Sequence, residues 1–342
     1  MSTTLPITEQ AMSAVVKHSA GPEGVSVTEV AVPEVLPGLA RVRVAATGIC
    51  GTDVHVAHDE YGYEAPVVMG HEITGTVVDV GADGDVGWVG KRVACETYFA
   101  TCEECQWCRA GRRNLCPTRR SLGSFEHGGF AEFVVLPVVN LHAVPDCLGD
   151  VEGALAEPLA CVTQCLLDPP VVQAGDRVLV TGPGAMGQLA SQVAQSLGGV
   201  VTMTGLPKDA ARLAVAERLG ARATTGEVEP GSFDVVLECS GSGVAASVAF
   251  EAVRRGGRYV QVGIFGQPVT LPADQILYKE LTITSGFAST ATSWRAAMRL
   301  IDSGQVSLGP LVTRRVPLAE FPTALAAAEA GEGLKTVVVP GA

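Results

Sequence analysis

The chain has 342 residues, enough for two domains of ordinary size with substantial cores. Hydrophobic residues at 47% and charged residues at 18% describe a well-folded protein and exclude a disordered one. The net charge of -12 disfavours nucleic acid and anionic membrane as partners, since both select a basic face.

Met1 to Gln10 is polar, lacks the basic-then-apolar order of a secretion signal, and reads as a loose extension. No uninterrupted apolar run approaches the ~20 residues of a membrane span. A cytoplasmic chain is expected, with its ten cysteines reduced rather than paired. Short β-type runs follow, broken by turns: Ala40 to Ala46, Thr74 to Val80 and Gly129 to Leu136. They predict a mainly β, barrel-like domain. The character changes near Asp168-Pro169-Pro170. Beyond it, strands at Arg177–Thr181, Val200–Thr204, Asp234–Glu238 and Arg258–Val262 alternate with helices. Those helices cover Ala185–Leu197, Asp209–Leu219 and a stretch between the last two strands. This is the pattern of βαβ units and a parallel sheet. Leu311–Val316 and Lys335–Val339 are β-type again and read as a return to the first domain. The predicted division is 1–165 with 300–342, against 166–299.

Four cysteines, Cys102, Cys105, Cys108 and Cys116, fall on one short loop within a lobe at 95–120. Thiolates at this spacing can close around one Zn²⁺ in a tetrahedral site with no open position, which makes that metal structural. Cys95, Cys147, Cys161, Cys165 and Cys239 read as buried small apolar residues.

Gly182-Pro-Gly184-Ala185-Met186-Gly187 follows a predicted strand and opens a predicted helix. In that context the glycines serve a tight turn, close approach to a pyrophosphate and close helix packing. The end of the next strand carries Gly205 where an NAD-binding chain places an acidic residue. Lys208 and Arg212 lie close behind, so the cofactor is NAD or NADP with a lean to NADP.

Three further segments offer a mixed ligand set: Cys50 with Thr52 and His55, His71 with Glu72, and Glu157. Sulfur, nitrogen and oxygen donors together suit a catalytic zinc that keeps an exchangeable position.

Read together, these residues resemble the zinc-dependent medium-chain alcohol dehydrogenase family, over nearly the whole chain from Met12 to Val339. The Gly-His71-Glu72 segment, the cysteine lobe and the glycine loop carry the likeness. Within the family the chain looks most like the polyol (sorbitol) and threonine dehydrogenase branch, and the segment Glu152-Gly-Ala-Leu-Ala-Glu157-Pro-Leu159 is similar to the polyol enzymes. The resemblance implies an α/β fold: a GroES-like, partly open β-barrel catalytic domain plus a doubly wound Rossmann domain. It implies two zincs per subunit, with Cys50, His71 and Glu72 on the catalytic one and Glu157 as a fourth or exchangeable ligand. Thr52 would receive the hydroxyl proton of a secondary alcohol and His55 pass it to solvent, while hydride goes to the nicotinamide. Asp53 and Glu96 would orient ligands.

A small hydroxylated substrate is expected, a polyol, sugar alcohol or cyclitol. A threonine-type amino-alcohol substrate is the alternative, and a non-catalytic NADPH-binding protein of the same fold a remote one. Gln164 stands where polyol enzymes usually carry a His. The segment His55 to Tyr63, with His58, Asp59, Glu60 and Tyr61, is read as a polar lining for the substrate. Related enzymes are homodimers or homotetramers, and Val260–Phe265 and Leu281–Ser285 are apolar enough for such an interface.

Overall fold

The computed structural model describes residues 7–82 and 84–341. Of the loose extension expected over Met1 to Gln10, residues 1–6 lie outside this range. The rest is not loose, because a strand Ile7–Lys17 already begins there. It pairs antiparallel with Val25–Pro33 at Ile7 and continuously from Ala11 to Lys17, with an irregularity between them.

The chain divides into two compact units, one running up to Glu157 and resuming at Val312, the other Pro158–Leu311. The boundaries expected at 165 and 300 therefore move outward from the second unit at both ends. Side chains at each end explain the shift. Thr163 and Gln164 bond to Ser293 and Thr290, and Gln192 bonds the backbone of Ser307 in both directions. All of these partners lie inside the second unit.

The first unit is built on a mixed seven-stranded sheet. Its order is Leu141–Ala143, Arg92–Cys95, Glu72–Val80, Leu39–Gly48, Lys335–Val338 and Val312–Val316, with Phe133–Pro137 pairing Leu39–Gly48. Alternation on the strand Leu39–Gly48 sends Ala40, Val42 and Val44 into a core shared with Ile73, Val77, Val93 and Leu136. The two late strands do return to this unit, and Val337 and Val338 pair with Gly48 and Thr47. The run expected from Gly129 becomes a strand only at Phe133. Before that, Gly128 lies so close to Gly70 that a Cβ there would meet its carbonyl oxygen at 2.0 Å. A short antiparallel pair, Tyr98–Ala100 with Arg120–Ser121, closes the base of the cysteine lobe.

The second unit is a six-stranded sheet whose ladders are all parallel. Its order is Arg222–Thr224, Val200–Thr204, Arg177–Thr181, Phe233–Glu238, Val253–Gln261 and Thr282–Ser285. Numbered along the chain this is 3-2-1-4-5-6, the doubly wound order. Central strands in such a sheet are covered on both faces, and Val178, Leu179, Val180, Val235, Val236 and Leu237 are each fully buried. The order reverses beside Arg177–Thr181, at whose end the glycine loop begins.

Of the cysteines expected as buried apolar residues, Cys95 and Cys165 are buried. Cys161 and Cys239 are partly exposed and Cys147 is exposed, on the turn before the helix Ala156–Leu167.

Candidate metal centres and dinucleotide site

In the first unit the strand Leu39–Gly48 ends just before Cys50, which caps a short helix Gly51–Ala57. On that helix Thr52 and His55 stand three residues apart and so share a face. His71 and Glu72 enter from the start of the neighbouring strand. The ligand atoms of Cys50, His71 and Glu72 all lie within 4.8 Å of one another. Thr52 Oγ1 is 3.8 Å from Cys50 Sγ.

Asp53, 1% exposed, ties this cluster together. Its Oδ2 accepts from the Cys50 N–H at 2.8 Å, and its Oδ1 lies 3.6 Å from His71 Nδ1. That leaves His71 Nε2 for a metal, the arrangement in which a carboxylate orients a ligating imidazole. Burial works against a charge on His71. The Asp53 carboxylate and Cys50 outweigh it and hold the imidazole well above its usual range. The site thus favours a positive charge at this point.

Glu72 supplies the sharper sign. Its Oε1 accepts from Lys335 Nζ at 2.7 Å, and Lys335 also donates to the Ile49 carbonyl at 3.1 Å. Its Oε2 is buried and has no hydrogen-bond partner among the described residues. A Cβ on Gly48 would sit 2.0 Å from that oxygen, so glycine keeps the space around it open. An orphaned carboxylate oxygen beside a thiol and an imidazole fits a zinc ion. Lys335 is 263 residues from Glu72 along the chain, and no local pattern marks it.

Glu157 is buried in the first turn of the helix Ala156–Leu167, and it is not brought into the three-residue group. Glu96, expected as an orienting group, instead pairs with His142 Nε2 at 2.8 Å. Gln164 is buried and accepts from Thr290 Oγ1 at 2.8 Å, a core role rather than a substrate contact. The polar lining expected over His55–Tyr63 is largely engaged inside the unit. His58 pairs with Glu329, Asp59 with Lys17 and Tyr63, and Glu60 with His55.

The cysteine lobe brings all four of its sulfurs within 4.8 Å of one another. Cys102 Sγ lies 3.9 Å from Cys108 Sγ and 3.6 Å from Cys116 Sγ, and none of the four is in a disulfide. Backbone N–H groups of Cys102, Cys105 and Cys108 point at the sulfurs of Cys116, Cys102 and Cys105, at 3.4, 3.3 and 3.5 Å. Donors aimed at sulfur stabilise thiolates. Burial raises the Cys116 thiol, but the Cys102 N–H and Thr118 outweigh it and bring it down to about 6. Burial and Cys105 push Cys108 up to about 11, as expected where neighbouring thiols cannot all ionise without a cation. The donor set fits a closed, structural zinc.

In the second unit the glycine loop leads from Arg177–Thr181 into the helix Ala185–Ser196. Gly182 has φ +92°, and a Cβ on it would meet Ser240 Cα at 2.7 Å. A Cβ on Gly187 would lie 2.0 Å from the Gly182 carbonyl oxygen. Gly184 has nothing among the described residues within 4 Å of its Cβ position and caps the helix with no side-chain bond. The N–H groups of that first turn, including those of Ala185 and Met186, are therefore open to an anion. Glu238, not singled out by motif, holds the opposite wall. Fully buried, it accepts from the Ser240 N–H at 2.9 Å, Gly241 N–H at 3.2 Å and Gln261 Nε2 at 2.9 Å.

Gly205 lies against the loop, since a Cβ there would be 2.9 Å from Pro183 Cγ. Lys208 is exposed. Arg212 lies 3.6 Å from Asp209, whose other oxygen accepts from the Leu206 N–H at 2.9 Å. Asp209 is a carboxylate that reading Gly205 alone passes over, and both of its oxygens are engaged locally.

Two family descriptions match the chain: alcohol dehydrogenase GroES-like domain over residues 36–146, and zinc-binding dehydrogenase over residues 185–303. A sorbitol dehydrogenase of Halalkalibacterium halodurans is 36% identical, covering 96% of this chain and 99% of its own. A D-arabitol-phosphate dehydrogenase of Enterococcus avium is 32% identical over 96% of this chain and 97% of its own. Among solved structures, a Sinorhizobium meliloti protein described as a zinc-binding dehydrogenase, bound to NADP, superposes with a TM-score of 0.89. It is 33% identical and covers 97% of this chain and 100% of that one.

Proposed function

Because the chain belongs to the zinc-dependent medium-chain dehydrogenase family, in its polyol and threonine branch, we propose that it interconverts a secondary alcohol of the polyol class and a ketone. One observation carries the site assignment: Cys50, His71 and the unpartnered Oε2 of Glu72 converge within 4.8 Å. Zinc held by Cys50, His71 and Glu72 would supply Lewis acidity, and a nicotinamide dinucleotide held on the Gly182–Gly187 loop would supply the hydride acceptor. Thr52, beside the Cys50 sulfur, takes the hydroxyl proton, and His55, one turn along the same helix, passes it outward. Glu157 serves as an exchangeable ligand rather than a permanent one, in keeping with its place outside the three-residue group. Cys102, Cys105, Cys108 and Cys116 hold the second, structural zinc.

The NADP-bound relative and the absence of a carboxylate at Gly205 support NADP, with Lys208 and Arg212 meeting the 2′-phosphate. The protein acts in the cytoplasm as a homodimer or homotetramer. Among the described residues the strand Thr282–Ser285 has a neighbour on one side only, and Ile283 on it and Phe287 just beyond it are exposed. An unpaired apolar edge of this kind favours pairing with a second copy.

The test is zinc content per subunit together with initial rates on sorbitol, other polyols, cyclitols and L-threonine. Two zincs should fall to one in Cys50→Ser, with polyol oxidation abolished and the remaining zinc retained. A single zinc that Cys50→Ser leaves in place would sink the reading. L-Threonine oxidation without polyol oxidation would replace the substrate class.

A further inference from the structure

His55 is held at three points. Its Nδ1 lies 2.7 Å from Glu60 Oε2. Its carbonyl accepts from the N–H groups of both Glu60 and Tyr61, at 2.8 and 3.2 Å. The five-residue step from His55 to Glu60 therefore folds back on the end of the helix. A carboxylate can only accept, so the ring nitrogen facing Glu60 must carry the proton. In the neutral ring Nε2 then keeps its lone pair.

An exposed His–Glu pair alone would contribute little, as each partner has alternatives in water. Here the loop is not left to choose. Asp59, directly before Glu60, stands at φ +62°, a left-handed conformation uncommon for a residue with a side chain. Its carboxylate is secured by the Gly21 N–H and the Tyr63 hydroxyl, each at 2.6 Å, and by Lys17 Nζ at 3.0 Å. Lys17 is fully buried in the strand Ile7–Lys17. It donates to the carbonyl of Ala57, the last residue of the helix, at 2.7 Å and to that of Gly21 at 2.8 Å. A buried ammonium needs partners for all its protons, and these three acceptors provide them. Lys17 and Asp59 thus set both the end of the helix and the turn that brings Glu60 round.

We propose that Glu60 is a positioning residue of the proton relay, fixing His55 as its Nε2-acceptor tautomer, with the Lys17–Asp59 clamp presenting it. The proposal rests on His55 being the outer relay group, and it adds two roles: Glu60 sets the tautomer and Lys17 sets the loop. A proton arriving at Nε2 then meets a lone pair rather than an N–H, and the Nδ1 proton can leave to Glu60 at the surface. No net charge accumulates beyond the one proton moved.

The experiment combines long-range ¹⁵N–¹H spectra of the histidine rings with steady-state kinetics on the zinc-loaded protein. In wild type the His55 ring should show Nδ1 protonated and Nε2 not. Glu60→Gln and Asp59→Asn should each give a mixture of tautomers. In both, kcat for alcohol oxidation should fall about tenfold, with KM for alcohol and dinucleotide kept within about twofold. Adding Glu60→Gln to His55→Ala should cost nothing further, since the carboxylate acts only through the ring. An unchanged tautomer in Glu60→Gln, or fully additive losses in the double variant, overturns the proposal. If wild type oxidises no alcohol, the functional reading fails instead, and the ring spectra still decide what Glu60 does.

Discussion

Lys335→Met removes an ammonium from beside Glu72 and keeps much of the length of the side chain. The two groups are 2.7 Å apart, and their side chains are 7% and 1% exposed, so water cannot move in to screen the carboxylate left behind. At that distance an effective dielectric of 20 gives a Coulomb attraction of about 6 kcal/mol, from which the cost of burying both charges must be subtracted. Removing one partner of such a pair costs about 3–5 kcal/mol. At the lower figure, and at about 2–4 °C per kcal/mol for a unit of this size, metal-stripped Lys335→Met should melt about 6–12 °C below wild type. Zinc on Oε2 would hold the same carboxylate, so the gap should narrow when both proteins are zinc-loaded. Calorimetry on stripped and loaded forms is the assay, with Lys335→Met/Glu72→Gln as the control. Neutralising the carboxylate should restore most of the lost stability in that double variant. A shift of under about 2 °C in the stripped single variant, or no recovery in the double, would mean that Lys335 does not hold the Glu72 carboxylate.

Gly187→Ala places a methyl 2.0 Å from the Gly182 carbonyl and should shift the loop, abolishing dinucleotide binding by fluorescence titration. Gly184→Ala meets no atom among the described residues, so its melting temperature should hold while KM for the dinucleotide rises about tenfold, the methyl standing where the phosphates approach. Cys105→Ser should release one zinc per subunit and leave the Cys50 zinc in place, as read by metal analysis. Asp59 is drawn from 3.8 to about 2 by its bonds from Tyr63, Gly21 and Lys17. A lowered carboxylate stabilises the fold above its unfolded value and loses that contribution as pH falls through the folded one. Acid titration of wild type should therefore show a loss of stability between pH 3.8 and about 2 that Asp59→Asn largely lacks.

Short-range spacing was enough for the features whose chemistry is local. Cys102, Cys105, Cys108 and Cys116 span fifteen residues, and a loop that short can hardly avoid gathering its sulfurs. Gly182, Gly184 and Gly187 are legible because a tight strand-to-helix turn around an anion demands missing side chains at those steps. The alternation of strands and helices after residue 176 likewise implied the parallel sheet, since parallel neighbours need crossover connections. The tertiary structure decided what depends on distant partners. Lys335 reaches Glu72 only because the last strand returns beside Leu39–Gly48, and ladder register is a property of the folded sheet. Glu157 was expected as a fourth or exchangeable ligand, and its place outside the Cys50, His71 and Glu72 group depends on packing that spacing does not show. Gln164 was placed by likeness to a family His and Asp59 within a polar segment, and the partners each takes, Thr290 and Lys17, are brought up by the fold. Residue type and spacing show which chemistry a chain can support, while the reach of each side chain is set by elements far away in sequence.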